Sequence, residues 1–538
     1  MGSGLFYKRA RSRSAIVADS FAGGARRMAQ KLSVHRRYCL ELPGFLKQPL
    51  SLAQCRAKIR AGVEGRNANF LALIKHGISF YPQSPYSRLF RFAGCEFGDL
   101  EKLVHRDGVE ETLQRLSSAG VYITIEEYKG LRPVQRGTLC FDVKPEEFDN
   151  PSISPALELA SGGTRGRGIT TLLCWGFLGD EAAAEGVVLD ALGFYGSPWA
   201  LWHDIVKRFL TLTKGAQPVL KWFFPVSTSR NRMAAYYAVL TGRLLGHPLP
   251  WPEATGPPQT RNVADWLAQK KQEARRTVLN TSPSNAIRVS RAAQEHGIDI
   301  SGMHILTGGE PLTVAREREI RASGLTVSTQ YAAMETGYIG LGCGSSGADD
   351  VHLLRSKLAI IQVARSVGSA KVSVDGLRVT TLLPTTPKIF INMENGDYGR
   401  LQSRSCGCQL DAFGLTEHLS HIRSFEKLTT EGMTFFAADL GRIIEEVLPR
   451  KFGGCPLHYQ AIEEEDENGA GRLTLLASPA LGVVNDELLT KTIYEELKKG
   501  GKNSQRMANA WKAAGTVQVK REEPKPTRGG KVFPFQVR

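Results

Sequence analysis

Apolar residues recur near helical spacing between about residues 65 and 135, as at Leu71, Ile74 and Ile78, and this spacing predicts helices there. Before about residue 60 the periodicity is weak, and the segment reads as a loosely packed extension. The texture changes at a glycine-rich run, Ser161 to Gly168, followed by the β-prone stretch Ile169–Trp175. Beyond it, strand-like Pro218–Val226 alternates with helical Arg261–Leu279 and Ser284–Glu295. A strand at Met303–Leu306, a Gly-Gly-Glu-Pro turn, a helix from about Thr313 and a strand at Leu325–Thr329 continue the alternation. Leu377–Leu383 and Lys388–Met393 are also β-prone. Alternation of this kind predicts an α/β domain with a substantial sheet.

The last hundred or so residues read differently. His458–Glu463 and Arg472–Ala477 are strand-like and flank a polar, glycine-bearing hairpin signal. Asn485 is placed to cap an amphipathic helix carrying Leu488, Leu489, Ile493, Tyr494 and Leu497, closed by Gly500 and Gly501. Thr516–Lys520 reads as a further strand. The pattern predicts a small α+β unit after the large α/β one, with boundaries at 1–64, 65–423 and 424–538.

Composition narrows the class. The chain has 538 residues, 42% of them hydrophobic and 23% charged, which suits a multidomain globular protein. No run approaches the roughly 18 uninterrupted apolar residues of a membrane-spanning helix. Nine irregularly spaced cysteines argue against a disulfide scaffold and point to a reducing, cytoplasmic setting. The formal net charge of +16 admits nucleic acid, acidic surfaces or anionic small molecules as partners. Much of that excess lies in flanking segments, among them Lys8, Arg9, Arg11 and Arg13, where a solvated extension is the plainer reading. The Arg-rich, acid-poor start lacks a secretory apolar core and has the character of an organelle transit segment.

Five short segments carry candidate chemistry, the third along the chain being Tyr331-Ala332-Ala333-Met334-Glu335, whose glutamate taken alone is a surface carboxylate. Ser161-Gly162-Gly163-Thr164-Arg165-Gly166-Arg167-Gly168 can turn backbone N–H groups toward one anion, with hydroxyl and guanidinium donors added. It lacks the Gly-x4-Gly-Lys-Ser/Thr pattern of a Walker loop. Gly308-Gly309-Glu310-Pro311 and Asn395-Gly396-Asp397 are ordinary turns when taken singly. Thr527-Arg528-Gly529-Gly530-Lys531 sets a lysine in a basic tail.

In this order the segments resemble the adenylate-forming superfamily, most of all its phenylacetate–coenzyme A ligase branch, over roughly residues 65 to 538. The resemblance implies that Ser161, Gly162, Gly163, Thr164, Arg165 and Gly166 hold the triphosphate of ATP. It implies that Gly309, Glu310 and Pro311 line the adenine pocket, and that Tyr331 packs on adenine. Glu335 would hold Mg²⁺, and Asp397 would bind the ribose hydroxyls. Arg423 would stand at the hinge, and Lys531 would be the lysine of the adenylation step. Departures from the family pattern are Arg165 for Thr, Arg167 for Lys, Ala332 for Gly and Met334 for a hydroxyl residue, with a shortened hinge at Ile422–Lys427.

Cys343, His352, Cys406 and Cys408 form a second constellation. Three thiols and one imidazole are the right number and type for a closed tetrahedral Zn²⁺ site, although Cys-x8-His is not a standard knuckle. Some members of the resembled branch carry zinc on Cys and His in this order. Buried free thiols beside an unrelated His are the plainer alternative.

The implied fold is a large α/β adenylate-forming domain with a small mobile α+β lid. The implied activity is ATP-dependent activation of a carboxylic acid, followed by transfer to coenzyme A. A carrier protein or an amine is the alternative acceptor, and a non-catalytic nucleic-acid binder on the same fold is the third reading. The expected partner is a small carboxylic acid, aromatic in the resembled branch, with neither nucleic acid nor membrane. Trp175, Trp222, Phe223, Phe224, Tyr236 and Tyr237 could line an aromatic pocket or could equally be core.

Overall fold

The computed structural model describes residues 28–160, 169–203, 205–225, 229–247, 249–273, 276–367, 372–424, 440–465, 471–499, 505, 508–509, 511–512, 515–527 and 530–537. The expected phosphate loop, Ser161, Gly162, Gly163, Thr164, Arg165 and Gly166 with Arg167 and Gly168, lies outside them, as does Lys427.

Twelve strands form one mixed sheet. In chain order they are β1 (Trp199–Trp202), β2 (Val219–Phe224), β3 (Pro252–Ala254), β4 (Val278–Thr281), β5 (His304–Gly308) and β6 (Thr326–Ala333). They continue as β7 (Gly337–Leu341), β8 (Asp350–Leu353), β9 (Leu358–Val367), β10 (Val372–Thr381), β11 (Met393–Ser403) and β12 (Glu417–Ser424). The spatial order is β9-β10-β11-β12-β8-β7-β6-β5-β4-β1-β2-β3.

From β3 to β6 every pairing is parallel. The strands there are linked by helices such as Val206–Lys214, Pro283–Glu295 and Val314–Arg321. Trp199 and Leu201 enter one apolar cluster while Ala200 and Trp202 enter another, the two-residue period of a strand covered on both faces. Beyond β6 every pairing is antiparallel. β6 is therefore the seam of the sheet, and its register with β7 shifts between Tyr331 and Ala332. A bulge at a seam re-aims the side chains around it.

A second sheet comprises β13 (Tyr459–Glu465), β14 (Gly471–Ala477), β15 (Val517–Lys520) and β16 (Phe535–Val537) in the order β15-β14-β13-β16. Asn485 caps the helix Asp486–Leu497 by accepting from the Leu488 N–H at 2.9 Å. Leu489, Ile493 and Leu497 of that helix pack with Tyr459, Leu473 and Leu475. The protein is thus a mixed α/β structure with a large sheet domain and a separate small C-terminal domain, as the patterning predicts.

The start of the chain departs from expectation. A helix spans 28–47, and Leu52–Glu64 forms another with a capping box at Ser51 and Gln54. Tyr38, Leu42, Phe45 and Leu46 are buried in the cluster that covers β1 and β2. Residues 28–64 are therefore packed structure. Buried Val34, Tyr38, Leu42, Phe45 and Leu46 recur at helical spacing in the first helix, a period that the sequence does carry. Among the described residues no helix is long and apolar enough to cross a membrane.

Candidate active site

Of the expected residues, the Gly309 turn and Tyr331 lie at the carboxyl ends of the parallel-paired β5 and β6, where open α/β sheets bind ligands, while Asp397 and Arg423 lie on the antiparallel β11 and β12. β5 ends at Gly308, and Gly309 turns the chain with φ +79°. The position needs glycine for its dihedral, and a side chain there would push aside the Lys531 ammonium. Lys531 Nζ donates to the Gly309 carbonyl at 3.3 Å. Two segments far apart in sequence are thereby joined.

Tyr331 lies one residue beyond the Gly308–Gln330 register pair. Its hydroxyl donates to Asp397 Oδ2 at 2.6 Å and accepts from Asn395 Nδ2 at 2.6 Å. Burial, and then the Asp397 charge, raise the phenol well above its ordinary value, so it remains a donor. Tyr398 on β11 pairs in register with Arg423 on β12, and Arg423 Nη1 meets Asp349 Oδ2 at 2.5 Å. Lys531 is thus joined to Gly309, and Tyr331 to Asp397 and Asn395, while Arg423 is joined to Asp349.

Glu310 is placed differently from a pocket-lining group. Its carboxylate is fully enclosed, paired with Arg316 and accepting from Ser284 Oγ at 2.5 Å. Arg316 Nε also meets Glu445 Oε1 at 2.7 Å, and its Nη2 donates to the Val532 carbonyl at 2.7 Å. Thr313 Oγ1 donates to Glu445 Oε2 at 2.6 Å. Pro311 is half-buried beside this network.

Glu335 sits in the turn between β6 and β7, half-buried. Two contacts hold that turn. Lys357 Nζ donates to the Thr336 carbonyl at 2.9 Å, and the Tyr338 N–H donates to Glu181 at 3.0 Å. Glu181 is fully enclosed and paired with Lys207 at 2.8 Å and with Lys357. Gly337 has φ +69°, and a side chain there would strike the Glu181 carboxylate. One carboxylate on a held turn fits Mg²⁺, which takes one or two protein carboxylates and completes its shell with phosphate oxygens and water.

His203 follows β1, where burial, then Arg208 and Lys531, lower its imidazole to about 3. It stays neutral beside the lysine.

The aromatic residues divide. Trp222, Phe223 and Phe224 are core, 0, 1 and 4% exposed, with Phe209 stacked on Trp222 at 4.6 Å. Trp175 and Tyr237 pack against Tyr38 of the first helix, and Tyr236 is exposed against Trp251.

Cys343, His352, Cys406 and Cys408 converge, with one ligand atom from each within 4.8 Å of the others. Cys343 and Cys406 Sγ are 3.7 Å apart, and His352 Nε2 is 3.4 Å from both Cys406 and Cys408 Sγ. A tetrahedron with Zn–S about 2.3 Å and Zn–N about 2.0 Å needs edges of about 3.8 and 3.5 Å, so the cluster has the right size. His352 Nδ1 donates to the Leu415 carbonyl at 2.5 Å, which turns Nε2 toward the thiols. Cys408 Sγ accepts from the Leu410 N–H at 3.3 Å, although burial first, and then Cys406, push the free thiol up to about 12.

Sequence reasoning missed Arg316, Glu445, Glu181, Lys207, Lys357, Asn395, Asp349 and His203. Arg316 lies in the helix Val314–Arg321, whose alternating charges read as a solvated face. Asn395 alone had a signal, being two residues from Asp397.

No family model matches the chain, and no curated protein matches it. Among solved structures the chain is similar to 2-hydroxyisobutyryl-CoA ligase in complex with 2-HIB-AMP and CoA. The identity is 14%, over 88% of this chain and 89% of that one, with TM-score 0.43. An anthranilate CoA ligase with anthranoyl-AMP gives 12% identity over 70% and 66% of the two chains, with TM-score 0.41. McyG A-PCP with phenylalanyl-adenylate gives 14% over 81% and 72%, with TM-score 0.40. At these scores the likeness carries no argument about chemistry, which is drawn from the residues alone.

Proposed function

We propose that the protein activates a carboxylic acid with ATP as an acyl-adenylate and passes the acyl group to coenzyme A, in the manner of phenylacetate–CoA ligases. The observation that carries this reading is the contact of Lys531 with the Gly309 carbonyl, just past the end of the strand next to the one whose Tyr331 bonds Asp397. Asp397 offers carboxylate oxygens to the ribose hydroxyls, and Tyr331 fixes its orientation. The Lys531 ammonium would offset the negative charge that develops as the substrate carboxylate attacks the α-phosphorus and the bond to pyrophosphate breaks. Glu335 would hold Mg²⁺, which would offset charge on the triphosphate. In the second step the thiol sulfur forms a bond to the acyl carbon, AMP leaves, and the thiol proton passes to solvent. The Cys343, His352, Cys406 and Cys408 cluster would hold a structural Zn²⁺.

Acid-dependent pyrophosphate exchange across a panel of aryl and aliphatic acids tests the first step. Exchange with none of them, in folded protein that binds ATP, would remove the proposal. Exchange followed by coenzyme A-dependent AMP release supports the thioester reading. Exchange without that dependence moves the assignment to the carrier-protein or amine acceptor, which the same residues support equally.

A further inference from the structure

Lys531 does not reach Gly309 by its own contact alone. The backbone on both sides of it is gripped by the large domain. The Gly530 carbonyl accepts from Arg288 Nη1 at 2.6 Å, and that guanidinium is itself aligned by Asn285 at 2.8 Å. The Val532 N–H donates to Ser284 Oγ at 3.0 Å, and the Val532 carbonyl accepts from Arg316 Nη2 at 2.7 Å. Arg316 is 2% exposed, and its remaining donors meet Glu310 of the Gly309 turn and Glu445. Glu445 lies in the helical segment Ile443–Val447, whose Ile443 and Ile444 belong to the apolar core of the small domain.

One guanidinium therefore holds three things at once: the turn that receives Lys531, the segment that carries Lys531, and a helical segment of the small domain. We infer that Arg316 is a positioning residue that clamps the small domain in the pose with Lys531 inserted, and that its exchange of Glu445 and Val532 for solvent is the step that lets the lysine withdraw. The inference rests on the proposed role of Lys531 in adenylation.

The charge arrangement suits a reversible clamp. Arg316 faces two carboxylates, so when Glu445 leaves with the small domain, Glu310 remains as its partner. No lone buried cation is left behind, which would otherwise make opening prohibitive. Glu445 regains water as it leaves. In the closed pose it is held by Arg316 Nε and by Thr313 Oγ1, both in the large domain. A planar fork can serve several oxygens in fixed directions, whereas a lysine at position 316 could not span them all.

The informative variant is Glu445→Ala, because it spares the Arg316–Glu310 pair and leaves no buried cation unpaired. Arg316→Lys is the second variant, checked for folding by its melting curve. Two rates are read in each: pyrophosphate exchange, and acyl transfer from supplied acyl-adenylate to the acceptor thiol or amine. In Glu445→Ala, exchange should fall by about 10-fold or more, because the lysine is no longer held in register. Transfer from supplied adenylate should be unchanged or faster, since that step needs the lysine withdrawn. Glu445→Gln, which keeps the acceptor oxygen, should recover part of the exchange rate. A merely structural role would lower both rates together, and that result would overturn the inference. Exchange within two-fold of the parent in Glu445→Ala, while Lys531→Ala has lost it, would also overturn the clamp and leave the lysine's role standing. Full exchange in Lys531→Ala would remove both, and that outcome is distinct from the previous one.

Discussion

Lys531 Nζ donates to the carbonyl oxygen of Gly309 at 3.3 Å, across 222 residues of sequence. The contact places a cation against the turn that ends a parallel strand, and it gives the basic tail one residue with a specific address.

That address separates Lys531 from Lys525. Lys525 Nζ lies 3.9 Å from Glu522 on the surface of the small domain, and its side chain is 41% exposed. Lys531→Ala should slow acyl-adenylate formation on the order of 10²-fold, as for loss of an electrostatic stabiliser. Transfer from ready-made acyl-adenylate should stay near normal. Lys525→Ala should leave both steps nearly intact. Parallel rate measurements decide the matter: equal behaviour of the two variants would return Lys531 to ordinary tail charge.

Asp397 and Tyr331 should act as a unit on nucleotide affinity. Asp397→Ala removes charge-assisted hydrogen bonds of about 1.5–3 kcal/mol each, and ATP binding by calorimetry should weaken accordingly. Tyr331→Phe removes the 2.6 Å donor to Asp397 and the acceptor for Asn395, so its loss should be smaller and in the same direction. The double variant should lose less than the sum of the two, because the groups are in contact. Unchanged ATP affinity in folded Asp397→Ala would refute the ribose assignment.

The sequence made some of this arrangement legible, for physical reasons. Strand–helix alternation follows from burial of both sheet faces, so β5 and the helix Pro283–Glu295 before it were readable from apolar runs and turns, whereas β4 was not: the expected helix Arg261–Leu279 ends at Gln272, and Val278 and Leu279 belong to the strand. The Asn485 cap was readable because a short polar side chain before an amphipathic run has one good use. The packing of residues 28–64 was not readable, since Tyr38 and Phe45 bury against partners such as Trp175 that lie far along the chain. The same holds for Arg316 and Glu445. Nothing in a helix of alternating charges marks the arginine that ends 2% exposed, because burial of a charge depends on where its counter-charge arrives. Glu310 shows the converse: its motif was conspicuous, and its carboxylate serves the Arg316 network.

His304 should make stability depend on pH in a calculable direction. Its ring sits on β5 with Nδ1 2.9 Å from Thr326 Oγ1 and Nε2 2.9 Å from Ser328 Oγ, stacked on Phe194. Burial, then the charges of Arg276 and Arg321, lower it from 6.5 to about 3. The unfolded chain takes up a proton below pH 6.5 that the folded chain refuses, so this contribution is complete above 6.5. It is lost as the pH falls toward 3. The slope is about 1.4 kcal/mol per pH unit for one such proton. Urea unfolding between pH 6 and 4 should show a slope shallower by that amount in His304→Gln, which keeps a donor and an acceptor without titrating. An identical slope in the two proteins would show that the imidazole charges freely in the folded state.

The cysteine and histidine cluster yields the last test. Its 3.7 Å and 3.4 Å edges match a zinc tetrahedron and exceed by far the roughly 2.0 Å of a bonded sulfur pair. His352 presents Nε2 because Nδ1 is committed to the Leu415 carbonyl. Protein purified without chelator should carry about one Zn²⁺ per chain, and Cys406→Ser should lower both zinc content and melting temperature. Cys455 provides the control. It is fully buried yet packs in the cluster beneath β4 and β5, away from the other thiols. Cys455→Ser should therefore reduce stability through packing while leaving the zinc content at that of the parent. Metal analysis that finds no zinc in the parent protein would make the four residues a plain thiol cluster. Zinc lost equally from Cys406→Ser and Cys455→Ser would mean the metal responds to global loosening, not to ligation by Cys406.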